Sequence, residues 1–176
     1  EFHMTINFNQ NYFQLFEIEP SFVIDFYSLE KKYFELQKKF HPDKYVNSTD
    51  YEKRLSLQIT SYVNEAYETL MNDFLKSMYL LKIEGYELND QNNTISDPIF
   101  LMNQMELREE SENITSKKNT DDIKRFTLKI ESLKKECLSD FEKYYNEKNF
   151  DDASKKVKEM KFYISIEDDF KKDNLL

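Results

Sequence analysis

The amino-acid sequence predicts an all-α protein built as two lobes. Gly occurs once and Pro three times in 176 residues, so there is little material for the tight turns of a β-architecture. Charged residues make up 34 % and aromatics 15 %, a mix that suits amphipathic helices around aromatic-rich cores. Apolar residues recur at three- and four-residue spacing, and no internal repeat or low-complexity tract interrupts them. The length allows one ordinary domain or two small ones.

A short first helix is predicted from about Tyr12 to Ile18, with Tyr12, Phe13, Leu15 and Phe16 as its apolar content. Pro20 separates it from a second helix, for which Asp25 is the N-cap and Phe40 the end. Leu29, Tyr33, Leu36 and Phe40 form its core stripe. Pro42 stops it, because proline lacks an amide donor and disfavours helical geometry at His41. Thr49 with Glu52 fits a capping box that opens a third helix, whose core positions are Leu55, Ile59, Tyr62, Val63, Ala66, Tyr67 and Leu70. Asn72-Asp73 interrupts it. A fourth helix through Leu75, Met78, Leu81 and Ile83 ends at Gly85, a left-handed C-cap. Residues 4–85 thus form a first lobe and 86–96 a polar connecting loop.

In the second lobe, residues 97–176, Asp97 caps a helix with Pro98 at its first position. A long helix follows with Ile123, Phe126, Ile130, Leu133, Cys137, Phe141 and Tyr144 on one face. The last carries Ala153, Val157, Met160 and Ile164. Short links between three amphipathic helices predict an antiparallel bundle.

Several functions are disfavoured. A net charge of -9 argues against nucleic-acid or anionic-membrane binding. No run approaches 18 apolar residues, so no transmembrane helix is expected. A start without a basic-then-apolar stretch predicts no secretory signal. Glu1-Phe2-His3 reads as a cloning remnant before a natural start at Met4. One glycine cannot build a phosphate-cradling loop, and one cysteine with two histidines cannot build a zinc cluster. Cys137 reads as a small buried residue in a reducing compartment. No metal or cofactor is expected.

The loop His41-Pro42-Asp43 between two amphipathic helices stands out. Pro42 fixes the backbone so that Asp43 projects at an apex, where its carboxylate can accept charge-assisted hydrogen bonds from a partner arginine. Lys31, Lys32, Lys38, Lys39 and Lys44 outnumber Glu35 and Asp43 in this stretch, giving a local sum of +3 in an acidic chain. Such a patch steers toward an acidic surface. An enzyme using His41 with Asp43 is a rival reading, but no strained nucleophile turn or oxyanion site accompanies the pair.

The tripeptide, the helix order and the downstream segment Val63-Asn64-Glu65-Ala66-Tyr67-Glu68-Thr69-Leu70 together resemble the J-domain family of co-chaperones. What the resemblance implies is a partner, an HscA/DnaK-type chaperone ATPase whose hydrolysis the tripeptide stimulates.

The helix from Asp97 carries two apolar faces. With Phe100 at 0° and about 100° per residue, Phe100, Gln104, Leu107, Ser111 and Ile114 point one way. Leu101, Met102, Met105, Glu106 and Glu109 span the opposite side, an adaptable methionine face rimmed by acids. On the last helix Phe162, with Ile166 beside it, is expected to point away from the core. These positions pack on the first lobe or meet a partner. The stretch from Phe100 to Glu110 resembles the segment that marks HscB-type co-chaperones of iron–sulfur cluster assembly, and the resemblance runs from about Tyr12 to Phe170. It implies that the bundle binds an IscU-type scaffold protein through Leu101, Met102, Met105, Glu106, Glu109 and Phe162. A further acidic contact of relatives falls at Asn113 here, and Glu112 replaces it only with a shift in direction. The lack of a cysteine-rich segment before the J-domain implies a bacterial-type, cytoplasmic protein. The alternative is a J-protein for another client, with the bundle bracing the J-domain.

Overall fold

The computed structural model describes residues 6–86, 88 and 97–174. The expected start at Met4 and nearly all of the expected connecting loop 86–96 lie outside the described residues. Every described segment of regular structure is helical, in the order α1 (Tyr12–Leu15), α2 (Phe26–Phe40), α3 (Asp50–Met71), α4 (Asp73–Ile83), α5 (Pro98–Lys117), α6 (Thr120–Asn146) and α7 (Phe150–Asp173). A single 3-10 turn, Pro42–Tyr45, stands between α2 and α3. The chain forms two compact units that part between Ile83 and Glu84.

The first unit is an α2–α3 hairpin flanked by α1 and α4. Asp25 caps α2 by accepting from the Tyr27 amide and the Ser28 hydroxyl. Thr49 and Glu52 form the reciprocal capping box of α3. Such caps stabilise a helix by about 1 kcal/mol each. Leu29 and Phe40 meet Ile59, Val63, Ala66 and Leu70 in the core, with Phe13, Leu15 and Phe16 of the first segment and Leu80 and Leu81 of α4 also buried. The Asn64 side chain is the polar clamp of the hairpin, accepting from Gln37 and from the Tyr33 hydroxyl (3.1 Å). Tyr67, one helical turn on, stacks on Tyr33 with ring centroids 4.0 Å apart.

Two details depart from expectation. Helix α1 ends at Leu15, not near Ile18. Glu17 takes a left-handed φ of 57°, and the Ile18 amide turns back to the Phe13 carbonyl (3.0 Å). In α4 a lysine is buried in place of the expected Leu75. The Lys76 ammonium sits 4.7 Å from the Phe22 ring centre and 5.5 Å from that of Phe26, and pairs with Asp73 at 2.9 Å. Two aromatic faces and one carboxylate replace the water it gave up.

The second unit is a three-helix bundle. Links of two and three residues, Lys118–Asn119 and Glu147–Asn149, turn each helix back on its predecessor. Lys118 and Lys148 take positive φ in these turns, and Asn119 and Asn149 cap the helices that follow. Phe126, Ile130, Cys137 and Phe141 of α6 pack on Ala153, Val157, Met160 and Phe170 of α7. Phe100 and Leu107 anchor α5. Glu167 is buried on α7. Burial alone would raise its carboxyl, but hydrogen bonds from Lys134 and Lys171 outweigh that and hold it below its ordinary value.

The Asn64 clamp makes a prediction. Asn64→Ala leaves the Tyr33 hydroxyl without its acceptor and Gln37 with only its longer bond to that hydroxyl (3.3 Å), and stability in urea is expected to fall by about 1–3 kcal/mol. An unchanged midpoint would show that the clamp adds nothing.

Candidate functional site

The His-Pro-Asp turn is pinned at its base and open at its tip. His41 is extended at φ -56°, ψ 131°, as a residue before proline must be. The last carbonyls of α2 would be orphaned there. Ser56 (2.8 Å) and Thr60 (3.1 Å) of α3 both donate their hydroxyls to the Phe40 carbonyl, and Tyr45 donates to that of Lys39 (3.1 Å). The Asp43 amide donates to His41 Nδ1 at 3.3 Å. That bond makes Nδ1 an acceptor, so the imidazole proton belongs on Nε2. His41 Nδ1 also lies 3.6 Å from an Asp43 carboxylate oxygen, too far for a hydrogen bond. The Asp43 side chain is 87 % exposed, and among the described residues its carboxylate accepts no hydrogen bond.

The lysines expected around it are not equivalent. Lys31, Lys38, Lys39 and Lys44 are exposed. Lys32 corrects the expected patch. It is folded against the first unit and pairs with Glu17 at 2.5 Å, fifteen residues earlier in the chain. Lys39 lies over the Phe40 ring at 5.0 Å, which leaves its charge near the turn.

On α5 the two faces separate as the spacing predicts. Phe100 and Leu107 are buried, whereas Leu101, Met102 (62 %) and Met105 (71 %) are exposed, with Glu106 and Glu109 exposed beside them. Ile99 is exposed on the same side and was not singled out by the spacing. Its position in the first turn, at the edge of the arc, hid it. Glu112 and Asn113 are both exposed.

Phe162 departs from expectation. It is only 8 % exposed, not outward-facing. Helix α7 packs on two neighbours, so its second apolar face is covered by α5. The Phe162 ring meets Phe100 edge-on at 5.8 Å, and the Arg108 guanidinium lies 5.5 Å from its centre. Ile166 is buried beside it. Phe162 holds the inner side of α5 in place, beneath the exposed methionines.

Comparison with known proteins gives this arrangement its family. Residues 96–171 match the family described as the HSCB C-terminal oligomerisation domain. A co-chaperone protein HscB homolog of Vibrio vulnificus is 32 % identical over 90 % of this chain and 94 % of its own. The chain belongs to the HscB family. Among solved structures, chaperone HscB from Vibrio cholerae superposes with a TM-score of 0.81 at 30 % identity, covering 95 % of this chain and all of the other. Human co-chaperone protein HscB gives 0.87 at 26 % identity, covering 94 % and 83 %. Jac1 of Saccharomyces cerevisiae shares the fold, with a TM-score of 0.76 at 22 % identity.

Members of the HscB family are co-chaperones, a non-enzymatic class. Among the described residues no group of His, Cys, Asp and Glu is arranged to hold a metal ion. Among the described residues no helix is long and apolar enough to cross a membrane.

The thiol of this HscB-family bundle is inert by construction. Cys137 is buried and donates to the Lys156 carbonyl (3.0 Å). Burial, reinforced by the Glu159 carboxylate, pushes it up to about 12 from an ordinary 9.0. Native protein at pH 8 should not react with a disulfide reagent, whereas urea-unfolded protein should react fully. Rapid native reaction would contradict the burial. Because the folded value is the higher one, this contribution to stability is whole below about pH 9 and is lost as pH rises toward about 12. Tyr145 and Tyr163, pushed by burial to about 12 from 10.0, add to the same alkaline loss.

Proposed function

We propose that this HscB-family co-chaperone stimulates ATP hydrolysis by an HscA/DnaK-type chaperone through its first unit. Its α5 face delivers an IscU-type iron–sulfur scaffold protein to that chaperone. The observation that carries the reading is the Asp43 carboxylate, held on a turn whose base is fixed by Ser56 and Thr60 yet itself exposed, accepting no hydrogen bond among the described residues. A partner guanidinium can donate to both of its oxygens. The exposed lysines steer an acidic chaperone surface toward the turn, which makes the association sensitive to salt.

Leu101, Met102 and Met105 supply an apolar, adaptable surface for the scaffold, and Glu106 and Glu109 select for basic groups around it. Phe162 supports this face from below. No step needs a cofactor, membrane or nucleic acid, and the lone buried thiol suits work in the reducing cytoplasm.

Single-turnover ATP hydrolysis by the chaperone should accelerate on addition of this protein, and Asp43→Asn should abolish the acceleration while leaving thermal unfolding unchanged. Equal acceleration by both proteins would refute the role of the turn. For the second surface, Met102→Ala/Met105→Ala is expected to weaken scaffold binding by at least about tenfold in a calorimetric titration. Its fold should be untouched, because both side chains are exposed. Equal affinities would remove the α5 face from the proposal.

A further inference from the structure

A polar cleft of about 240 Å³ opens between the three helices of the second unit. Sites for drug-sized ligands span roughly 300–1,000 Å³, so this one suits a smaller molecule. Its apolar wall is made by Phe100 of α5 and Tyr163 of α7, two rings that meet edge-on at 6.3 Å. Four carboxylates also line it: Asp97 of α5, Glu136 and Asp140 of α6, and Glu159 of α7. One cation, Lys156, stands among them. Four negative charges against one positive leave the cleft at a formal -3.

These groups are not equally engaged. Lys156 is held by Asp140 at 3.2 Å and by Glu159 at 3.0 Å, so those three satisfy one another. Asp97 uses one carboxylate oxygen to cap α5 at the Ile99 amide. Glu136 is exposed and, among the described residues, sits in no ion pair. Tyr163 is an independent sign of a missing partner. It is only 8 % exposed, yet its hydroxyl makes no hydrogen bond among the described residues. The charges of Glu159, Glu136 and Lys156 act on that hydroxyl, which places it on the cleft side of the ring. A tyrosine buried to this extent ordinarily finds a partner for its O–H.

We infer that the cleft binds a small aliphatic amine, whose ammonium group donates to Glu136 and to the Tyr163 hydroxyl oxygen while its carbon chain lies against Phe100. Carboxylates accept charge-assisted hydrogen bonds from such a group, and aromatic faces attract it. An anion would find the one cation of the cleft already paired. Among the described residues no set of side chains is arranged for a metal ion, so the cation that fits is organic. All three helices line the cleft, and an occupied cleft therefore ties α5 to α6 and α7. The site lies within the second unit and does not rest on the proposed docking roles.

The test is a calorimetric titration of diaminobutane into the full chain at low salt, with butanediol and magnesium chloride as controls. Diaminobutane should bind saturably at one site, more weakly as salt is added. Butanediol, of the same length but uncharged, should not bind. Tyr163→Phe keeps the ring and removes only the hydroxyl, and it should weaken binding about tenfold. Glu136→Gln should do the same, and as a change at an exposed residue it supplies the readout should Tyr163→Phe fail to fold. Hydrogen exchange of the α5 amides should slow with the amine bound. No saturable binding up to about 10 mM, or an unchanged affinity in either folded variant, would overturn the inference. Equal binding of butanediol would overturn the role of charge, and displacement of the amine by an equal concentration of magnesium would assign the cleft to a metal ion instead. Competition between the amine and an IscU-type scaffold would assign the cleft to a lysine of that partner and overturn the inference as well.

Discussion

Pro42 carries no amide hydrogen, and that fixes where α2 must stop. With no donor at this position and an extended His41 before it, the final carbonyls of α2 lose their helical partners. A buried carbonyl left in that state costs about 1–3 kcal/mol. Ser56 and Thr60 remove the penalty by donating to Phe40, and Tyr45 does the same for Lys39. The rescue comes from α3, so the geometry of a short exposed turn is set by the packing of the hairpin behind it. Phe40, Ile59 and Val63 hold that turn as much as His41 does.

Helices α2 and α5 share an unusual property. Each presents one apolar face to its own unit and a second to solvent. Fully burying a large apolar side chain is worth about 1.5–3 kcal/mol, a gain that folding forgoes at Phe34, Met102 and Met105. Phe162 shows the contrast. It sits on a helix with two packed sides, and the fold covers it with Phe100 and Arg108. An outward angle on a helical wheel becomes an exposed side chain only where no second helix arrives.

The boundaries set by local chemistry were legible in the sequence. Asp25, the Thr49–Glu52 box and the Asp97-Pro98 pair each satisfy helix amides within three residues of themselves, and each helix starts there. The exposed α5 face was legible because α5 meets its unit along one side, so its own periodicity decides which residues are buried. What escaped depends on residues far apart in the chain. The α1 end turns on a left-handed Glu17 that no glycine announces. Lys76 is buried because Phe22 and Phe26 close over it. Lys32 leaves the basic patch because Glu17 comes within reach. Phe162 is covered by a helix some sixty residues earlier in the chain.

The modest anchoring of α5 has a consequence for how the second unit behaves. Phe100 and Leu107 are its buried residues, whereas α7 buries eight, including Val157, Met160 and Phe170. Opening free energy follows such contacts, so α5 is the part of the bundle whose amide hydrogens exchange first. Any ligand seated on it adds its own binding free energy to that opening. Helix α5 is thus the segment of the bundle whose order would respond most to being occupied.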